Sequence, residues 1–268
     1  MAYKSLHFLY SDHKPEAAEL AKKFIAAFGQ SDIEKADAVI SIGGDGQLLE
    51  SLSKAQGRPV YGITPAASNS NGFWTDHDVE TPAKLIENLN RTAPFKLQPL
   101  KAEITFANGE KILCRAFNDV AIAPDSGQAV LMNLKAEFNG HEIGPYRLMG
   151  DGLVFSTALG STGTNHSYNG PLADIRNTVI LITGKGIRGL SSFTADGKTS
   201  SFSIDFGSVA HKRPVRVDYD GHSISAKSGH DSPISHIAVS LDPQAEATLL
   251  VTQDPAQKTF AALIPGAR

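Results

Sequence analysis

The first hundred residues alternate short apolar runs with stretches of helical periodicity. Leu6 to Tyr10 reads as a strand. After it, Leu20, Phe24 and Phe28 recur every four residues with Ala17, Ala21 and Ile25 on the same face, which predicts an amphipathic helix. Ala38-Val39-Ile40-Ser41-Ile42 is a compact β-branched run. It ends in Gly43-Gly44-Asp45-Gly46, beyond which Leu48, Leu49 and Leu52 space a second helix over residues 47–54. Pro59 to Ile63 predicts a third strand. Thr81-Pro82 opens another helix to Asn90, the threonine as N-cap and the proline at the first helical position, where no N–H is needed. Strand, helix, strand, glycine turn, helix, strand is the pattern of a parallel sheet with crossover helices.

Beyond Pro99 the period shortens from that of a helix to that of a strand. Alternating or β-branched segments recur at residues 103–107, 117–123, 131–138, 153–156, 178–183, 201–206, 215–219 and 237–241. The pairs Asn108-Gly109, Asn139-Gly140, Asp196-Gly197 and Asp220-Gly221 separate them, and such pairs between strands signal hairpins. The chain therefore divides into an α/β domain over residues 1–99 and a β-rich sandwich over residues 100–268.

Composition narrows the classes of function. A formal charge of −3 over 268 residues leaves no electrostatic footprint for nucleic acid or an anionic membrane, so an anionic partner must be held by a local site. The single Cys114 excludes an intramolecular disulfide framework and a cysteine-built zinc site, and agrees with a reducing compartment. The stretch to Tyr10 carries no secretory apolar region and no run approaches membrane-spanning length, so the chain reads as cytoplasmic.

Two clusters carry chemistry. Gly43-Gly44-Asp45-Gly46 joins a strand to a helix, where glycines admit close backbone approach and a helix N-terminus offers N–H groups to a phosphate. Asp45 opposes a phosphate unless a hydroxyl or a divalent cation lies between them, which suits it to accept a hydroxyl proton or help organise Mg²⁺ in phosphoryl transfer. The plainer alternative is an aspartate capping the helix. The turn fits neither G-x-G-x-x-G nor the Walker sequence. From Asp151 to Pro171 a strand runs into Thr157, Gly160, Ser161, Thr162, Gly163, Thr164, Asn165 and Ser167, short polar groups suited to a ribose or phosphate, or to a plain surface loop. His222, His230 and His236 match no metal-ligand spacing, so no metal site is assigned. Trp74 reads as a packing residue.

Together these residues, with Gly72-Phe73-Trp74-Thr75-Asp76, Asn118-Asp119 and Pro145-Tyr146-Arg147, occur in the order found in the NAD kinase family, which this chain resembles from Ala38 to Pro171 and more weakly to its end. The resemblance implies an N-terminal Rossmann-like nucleotide domain followed by a β-sandwich domain whose C-terminal segment returns to the first. It implies phosphorylation of the 2′-hydroxyl of the adenosine ribose of NAD, with ATP or polyphosphate as donor, a divalent cation such as Mg²⁺, and a homodimer or homotetramer. It gives Asp45 the proton-accepting role and Gly43, Gly44 and Gly46 the shaping of the nucleotide turn. By the same resemblance Phe73 would line the dinucleotide pocket, and Asn118 with Asp119 would bind nucleoside groups. Asp151, Thr162 and Ser167 would serve the adenosine side, with a neighbouring subunit as one source of Asp151. Thr164 and Asn165 lie in the same binding stretch, and His222 falls at a family position near the active site.

The chain departs from the family pattern in places. Asp119 replaces a glutamate, shortening the carboxylate by one methylene, and Thr164 replaces a tyrosine, for which Tyr168 is a nearby aromatic substitute. Asn169-Gly170-Pro171 stands for Gly-Gly-Pro, and the link from Ile63 to Asn71 is longer and lacks a central glycine. Two rivals remain at this level. Lipid kinases of the diacylglycerol or sphingosine type share Gly-Gly-Asp-Gly, and a non-catalytic NAD(P) sensor would keep the pocket.

Overall fold

The computed structural model describes residues 3–230 and 232–262. Up to Leu97 the chain forms β1 (Leu6–Tyr10), α1 (Pro15–Phe28), β2 (Ala38–Ile42), α2 (Asp45–Lys54), β3 (Pro59–Ile63), α3 (Pro82–Leu89) and β4 (Ala93–Leu97). β2 is buried at all five positions because α1 and α2 pack on it, the condition under which a strand is apolar throughout. β1, β2 and β3 are parallel neighbours. α1 buries Ala17, Leu20, Ala21 and Phe24, and the Phe24 ring lies 6.2 Å from that of Phe8. Thr81 caps α3, its side chain accepting the Lys84 N–H at 3.2 Å. α2 begins at Asp45, two residues before the first residue its periodicity indicated.

The strands β5 (Leu100–Phe106), β6 (Lys111–Ala116), β7 (Asp119–Pro124), β8 (Val130–Phe138), β9 (His141–Gly150) and β10 (Gly152–Ser156) follow. After them come a helical turn, α4 (Thr164–Ser167), then β11 (Val179–Lys185), β12 (Phe193–Asp196), β13 (Ser201–Asp205), β14 (Val215–Tyr219), β15 (His222–Ile224) and β16 (Ile234–Leu241). They form two six-stranded sheets, β12-β11-β10-β7-β14-β15 and β6-β5-β16-β13-β8-β9. Their inner faces share one core; Phe155 of the first sheet meets Phe202 of the second at 5.2 Å between rings. This is a β-sandwich.

Asn139-Gly140 and Asp220-Gly221 close two-residue hairpins with positive φ at both positions, the turn that matches strand twist. Asn108-Gly109 lies in the four-residue loop of the β5–β6 hairpin. Asp196-Gly197 is not a hairpin. β12 and β13 belong to different sheets, and the Asp196 carboxylate turns the chain between them by accepting the N–H groups of Lys198 and Thr199, both at 3.0 Å.

The remaining elements are β17 (Ala247–Val251) and α5 (Pro255–Ala261). β17 runs parallel to β3 and antiparallel to β4, completing the order β1-β2-β3-β17-β4. One compact unit thus comprises the chain up to Leu97 and the segment from Glu246, and the other spans Gln98–Ala245. Among the described residues no helix is long and apolar enough to cross a membrane.

Candidate functional site

In the first unit the site grows from the end of β2. Gly43 and Gly44 hold φ values of +152° and +113°, and a Cβ on them would press to 3.0 Å on Gln47 and Ser11, or to 3.1 Å on Ser70. Lys14 braces the turn, its Nζ donating to the Gly43 carbonyl at 2.8 Å and to Ser70 Oγ. Gly46 is not needed for the bend. It lies inside α2 with nothing within 4 Å of where a Cβ would stand, so the lack of a side chain there leaves open space next to Asp45.

Asp45 does not cap its helix; Gly44 occupies the cap position. Both carboxylate oxygens instead reach the loop after β3, Oδ2 accepting the Phe73 N–H at 2.7 Å and Oδ1 the Trp74 N–H at 2.8 Å. This two-point clasp fixes the plane of the carboxylate and leaves each oxygen a further lone pair. Trp74 is buried and meets Phe73 edge-on at 5.1 Å between rings, as a packing residue should. Phe73 lines a cavity of about 820 Å³ within this unit. On the cavity wall Asp76 accepts hydrogen bonds from Tyr61 (2.6 Å), Thr252 (2.8 Å) and Asn88 (3.3 Å).

In the second unit the organising residue is one that sequence reasoning treated only as part of a turn. Asp220, at the tip of the β14–β15 hairpin, accepts the backbone N–H groups of Phe117 (2.6 Å), Asn118 (2.9 Å) and Asp119 (3.4 Å). Burial pushes its carboxyl above the usual range, against the pull of those three donors. From the other side the Asn118 carbonyl accepts the Thr157 N–H at 3.0 Å and Ser156 Oγ at 3.1 Å. The Asn118-Asp119 backbone is therefore held between a hairpin tip and the end of β10. The only local signal for this was an Asp-Gly turn, which specifies a bend and says nothing of what the carboxylate reaches.

Asp119 is only 8% exposed. Burial pushes its carboxyl up to about 6; Asp220 and Asp218 add to the rise, while the Thr164 hydroxyl and Lys185 oppose it. The two departures from the family pattern thus meet: the rise at the shortened carboxylate is opposed by the threonine that stands where a tyrosine was expected. Tyr168 is exposed, with Lys185 Nζ 4.6 Å above its ring.

Other expected residues are placed differently. Asn165 is fully buried and engaged internally, donating to the carbonyls of Ser161 (3.2 Å) and Pro171 (2.7 Å) and accepting from Thr183 Oγ1 (2.7 Å). It pins the loop. Thr162 ends the helical turn Leu159–Thr162 and is partly exposed; Ser167 is exposed, its hydroxyl donating to the Gly163 carbonyl at 3.4 Å. His222 is exposed beside Tyr219, 5.3 Å between rings. Asp151 is not gathered with these groups in one chain. It precedes β10, whose other end, Ser156, pairs with Asp119, a separation on the order of 15 Å along the strand.

A raised folded-state pKa means that the protonated carboxyl is the form the fold favours. Its contribution to stability is complete below the unfolded value near 4 and is lost as pH rises through about 6. Asp119→Asn, neutral at every pH, is therefore expected to be more stable than the parent at pH 7.5 by roughly 1–3 kcal/mol. The gain should fall to about half by pH 5 and vanish below about pH 4. Urea unfolding at pH 7.5 and at pH 4 checks this; a pH-independent difference would count against it.

No family model matches this chain. It is 31% identical over 227 residues to the NAD kinase of Xylella fastidiosa (strain Temecula1), covering 81% of each protein, and 32% identical over 184 residues to that of Rhizobium meliloti, covering 68% of each. Among solved structures it resembles yeast NADH kinase complexed with NADH, with a TM-score of 0.79 at 16% identity over 98% of this chain and 87% of that one. It also resembles an NAD kinase from Archaeoglobus fulgidus in complex with ATP, with a TM-score of 0.67 at 16% identity over 96% and 98%.

Proposed function

This chain belongs to the NAD kinase family, and from that premise we propose that it transfers the terminal phosphoryl group of ATP to the 2′-hydroxyl of the adenosine ribose of NAD, giving NADP and ADP. It is an enzyme, a kinase. The observation that carries the reading is Asp45, a carboxylate held on both oxygens by backbone N–H groups at 2.7 and 2.8 Å beside the open space at Gly46. Its remaining lone pairs take the ribose hydroxyl. As the 2′-oxygen bonds to the terminal phosphorus, the bond to the bridging oxygen breaks, ADP leaves with that electron pair, and Asp45 takes the hydroxyl proton. Positioning and charge stabilisation supply most of the acceleration.

Phe73 serves as an apolar wall for the dinucleotide, while Asn118, Asp119 and Thr164 supply an amide, a carboxylate and a hydroxyl for nucleoside groups. Among the described residues no three His, Cys, Asp or Glu side chains are gathered to hold a metal ion. Mg²⁺ is assigned to the ATP substrate as its counter-ion, the way this cation is usually carried into phosphoryl-transfer sites. A reducing, cytoplasmic location is supported by Cys114 being the single cysteine of the sequence. Association into a homodimer or homotetramer is supported by Tyr146 and Met149, 56% and 59% exposed on β9 at a sheet edge.

The test is to incubate purified protein with NAD, ATP and Mg²⁺ and follow NADP with a coupled dehydrogenase. Parallel arms carry NADH, inorganic polyphosphate and diacylglycerol. NADP formation with ATP is expected and phosphorylation of diacylglycerol is not. No phosphorylation of either NAD or NADH would overturn the reading.

A further inference from the structure

The cavity of about 820 Å³ in the first unit lies in the size range of small-molecule sites. It opens beside Phe73, whose N–H holds Asp45, and its far wall is formed by Thr252, Gln253 and Lys258. Lys258 is half-buried there, and among the described residues its Nζ donates no hydrogen bond and joins no ion pair; it stands 5.9 Å over the Trp74 ring. Burial lowers its pKa, and the charges of Asp76 and Asp45 oppose that shift. Among the described residues Asp76 forms no salt bridge with it; its carboxylate accepts from Tyr61, Asn88 and Thr252.

The chemistry of the proposed reaction asks for a cation at this place. Negative charge on a transferred phosphoryl group must be met by positive charge, and the glycine turn carries no Walker-type lysine. Lys14, the lysine next to the turn, is committed to the Gly43 carbonyl and Ser70. Arg91, also on the cavity wall, lies 3.6 Å from Glu87 on an exposed helix face. A desolvated ammonium without a partner is unfavourable until an anion arrives.

We propose that Lys258 and the cavity it enters bind the phosphate chain of the donor, holding it against the Asp45 loop. The inference rests on the kinase reading for its physiological ligand. Its binding test does not depend on turnover.

Inorganic tripolyphosphate is the probe, and the fluorescence of Trp74, the single tryptophan, is the signal. A saturable change is expected in the parent protein, weakened by about tenfold or more in Lys258→Met and largely restored in Lys258→Arg. In the kinase assay Lys258→Met should raise KM for ATP by about tenfold and leave KM for NAD within about twofold, a split that a merely structural lysine would not produce. Equal tripolyphosphate affinity in parent and Lys258→Met overturns the inference, whatever the activity. Lys258-dependent tripolyphosphate binding in a protein that makes no NADP would uphold the site and sink the kinase reading instead.

Discussion

Asp45→Asn is expected to lower kcat for NADP formation by roughly 10²–10⁴-fold, the range associated with losing a general base. The substitution keeps size and shape, but it also replaces one of two acceptors by a donor, so either the Phe73 or the Trp74 N–H would face an amide NH₂. An unsatisfied buried N–H costs about 1–3 kcal/mol. Fully expressed in the position of the loop, that could slow turnover by at most about 150-fold. A fall near 10³ or beyond therefore has to come from the proton-accepting role, whereas a fall of tenfold with a lowered unfolding midpoint would point to the clasp alone. Turnover equal to the parent would overturn the assignment. Calorimetry should find NAD affinity changed by less than about tenfold, because the residue acts on the reacting hydroxyl more than on the bound dinucleotide.

Asp220→Ala carries the largest expected effect on stability. It strips the acceptor from three backbone N–H groups, two at 2.6 and 2.9 Å and one longer at 3.4 Å. It also places alanine at φ +41°, a conformation that aspartate and asparagine tolerate better. At about 1–3 kcal/mol for each well-made buried bond, a loss of roughly 3–5 kcal/mol is expected, a large share of ordinary domain stability. Urea unfolding would read it as a lower midpoint at unchanged slope. Asp220→Asn keeps one oxygen and suits the turn, so it should fold with a loss of about 1–2 kcal/mol. Its NAD affinity should still fall by about tenfold, since the Asn118-Asp119 backbone loses part of what fixes it. Unchanged affinity in that variant would show that the hairpin tip does not position the pair.

Much of the secondary structure was legible because its causes are local. The repeat of Leu20, Phe24 and Phe28, the Thr81-Pro82 start and the Asn139-Gly140 turn each act through residues within one or two turns of one another. Strands lacking an apolar signature of their own were not legible. β9, His-Glu-Ile-Gly-Pro-Tyr-Arg-Leu-Met-Gly, is exposed along most of its length and so shows no alternation to read. β17 is short and apolar, but its insertion between β3 and β4 depends on partners distant in sequence.

The site divides in the same way. The glycine turn with its aspartate and the Gly160-Ser161-Thr162 block were visible because ligand-approaching backbone needs small residues in contiguous runs. Sequence by itself thus determined the family, the two kinds of domain and Asp45 as the residue to test. Tertiary structure alone decided what Asp45 holds 28 residues away, that Asp220 reaches back 102 residues to the Asn118 backbone, that Thr164 offsets part of the rise at Asp119, and that Lys258 lines a cavity. Periodicity and turn chemistry report forces between near neighbours. Hydrogen bonds across long loops, and the burial that moves a carboxyl to about 6, exist only once the chain has closed on itself.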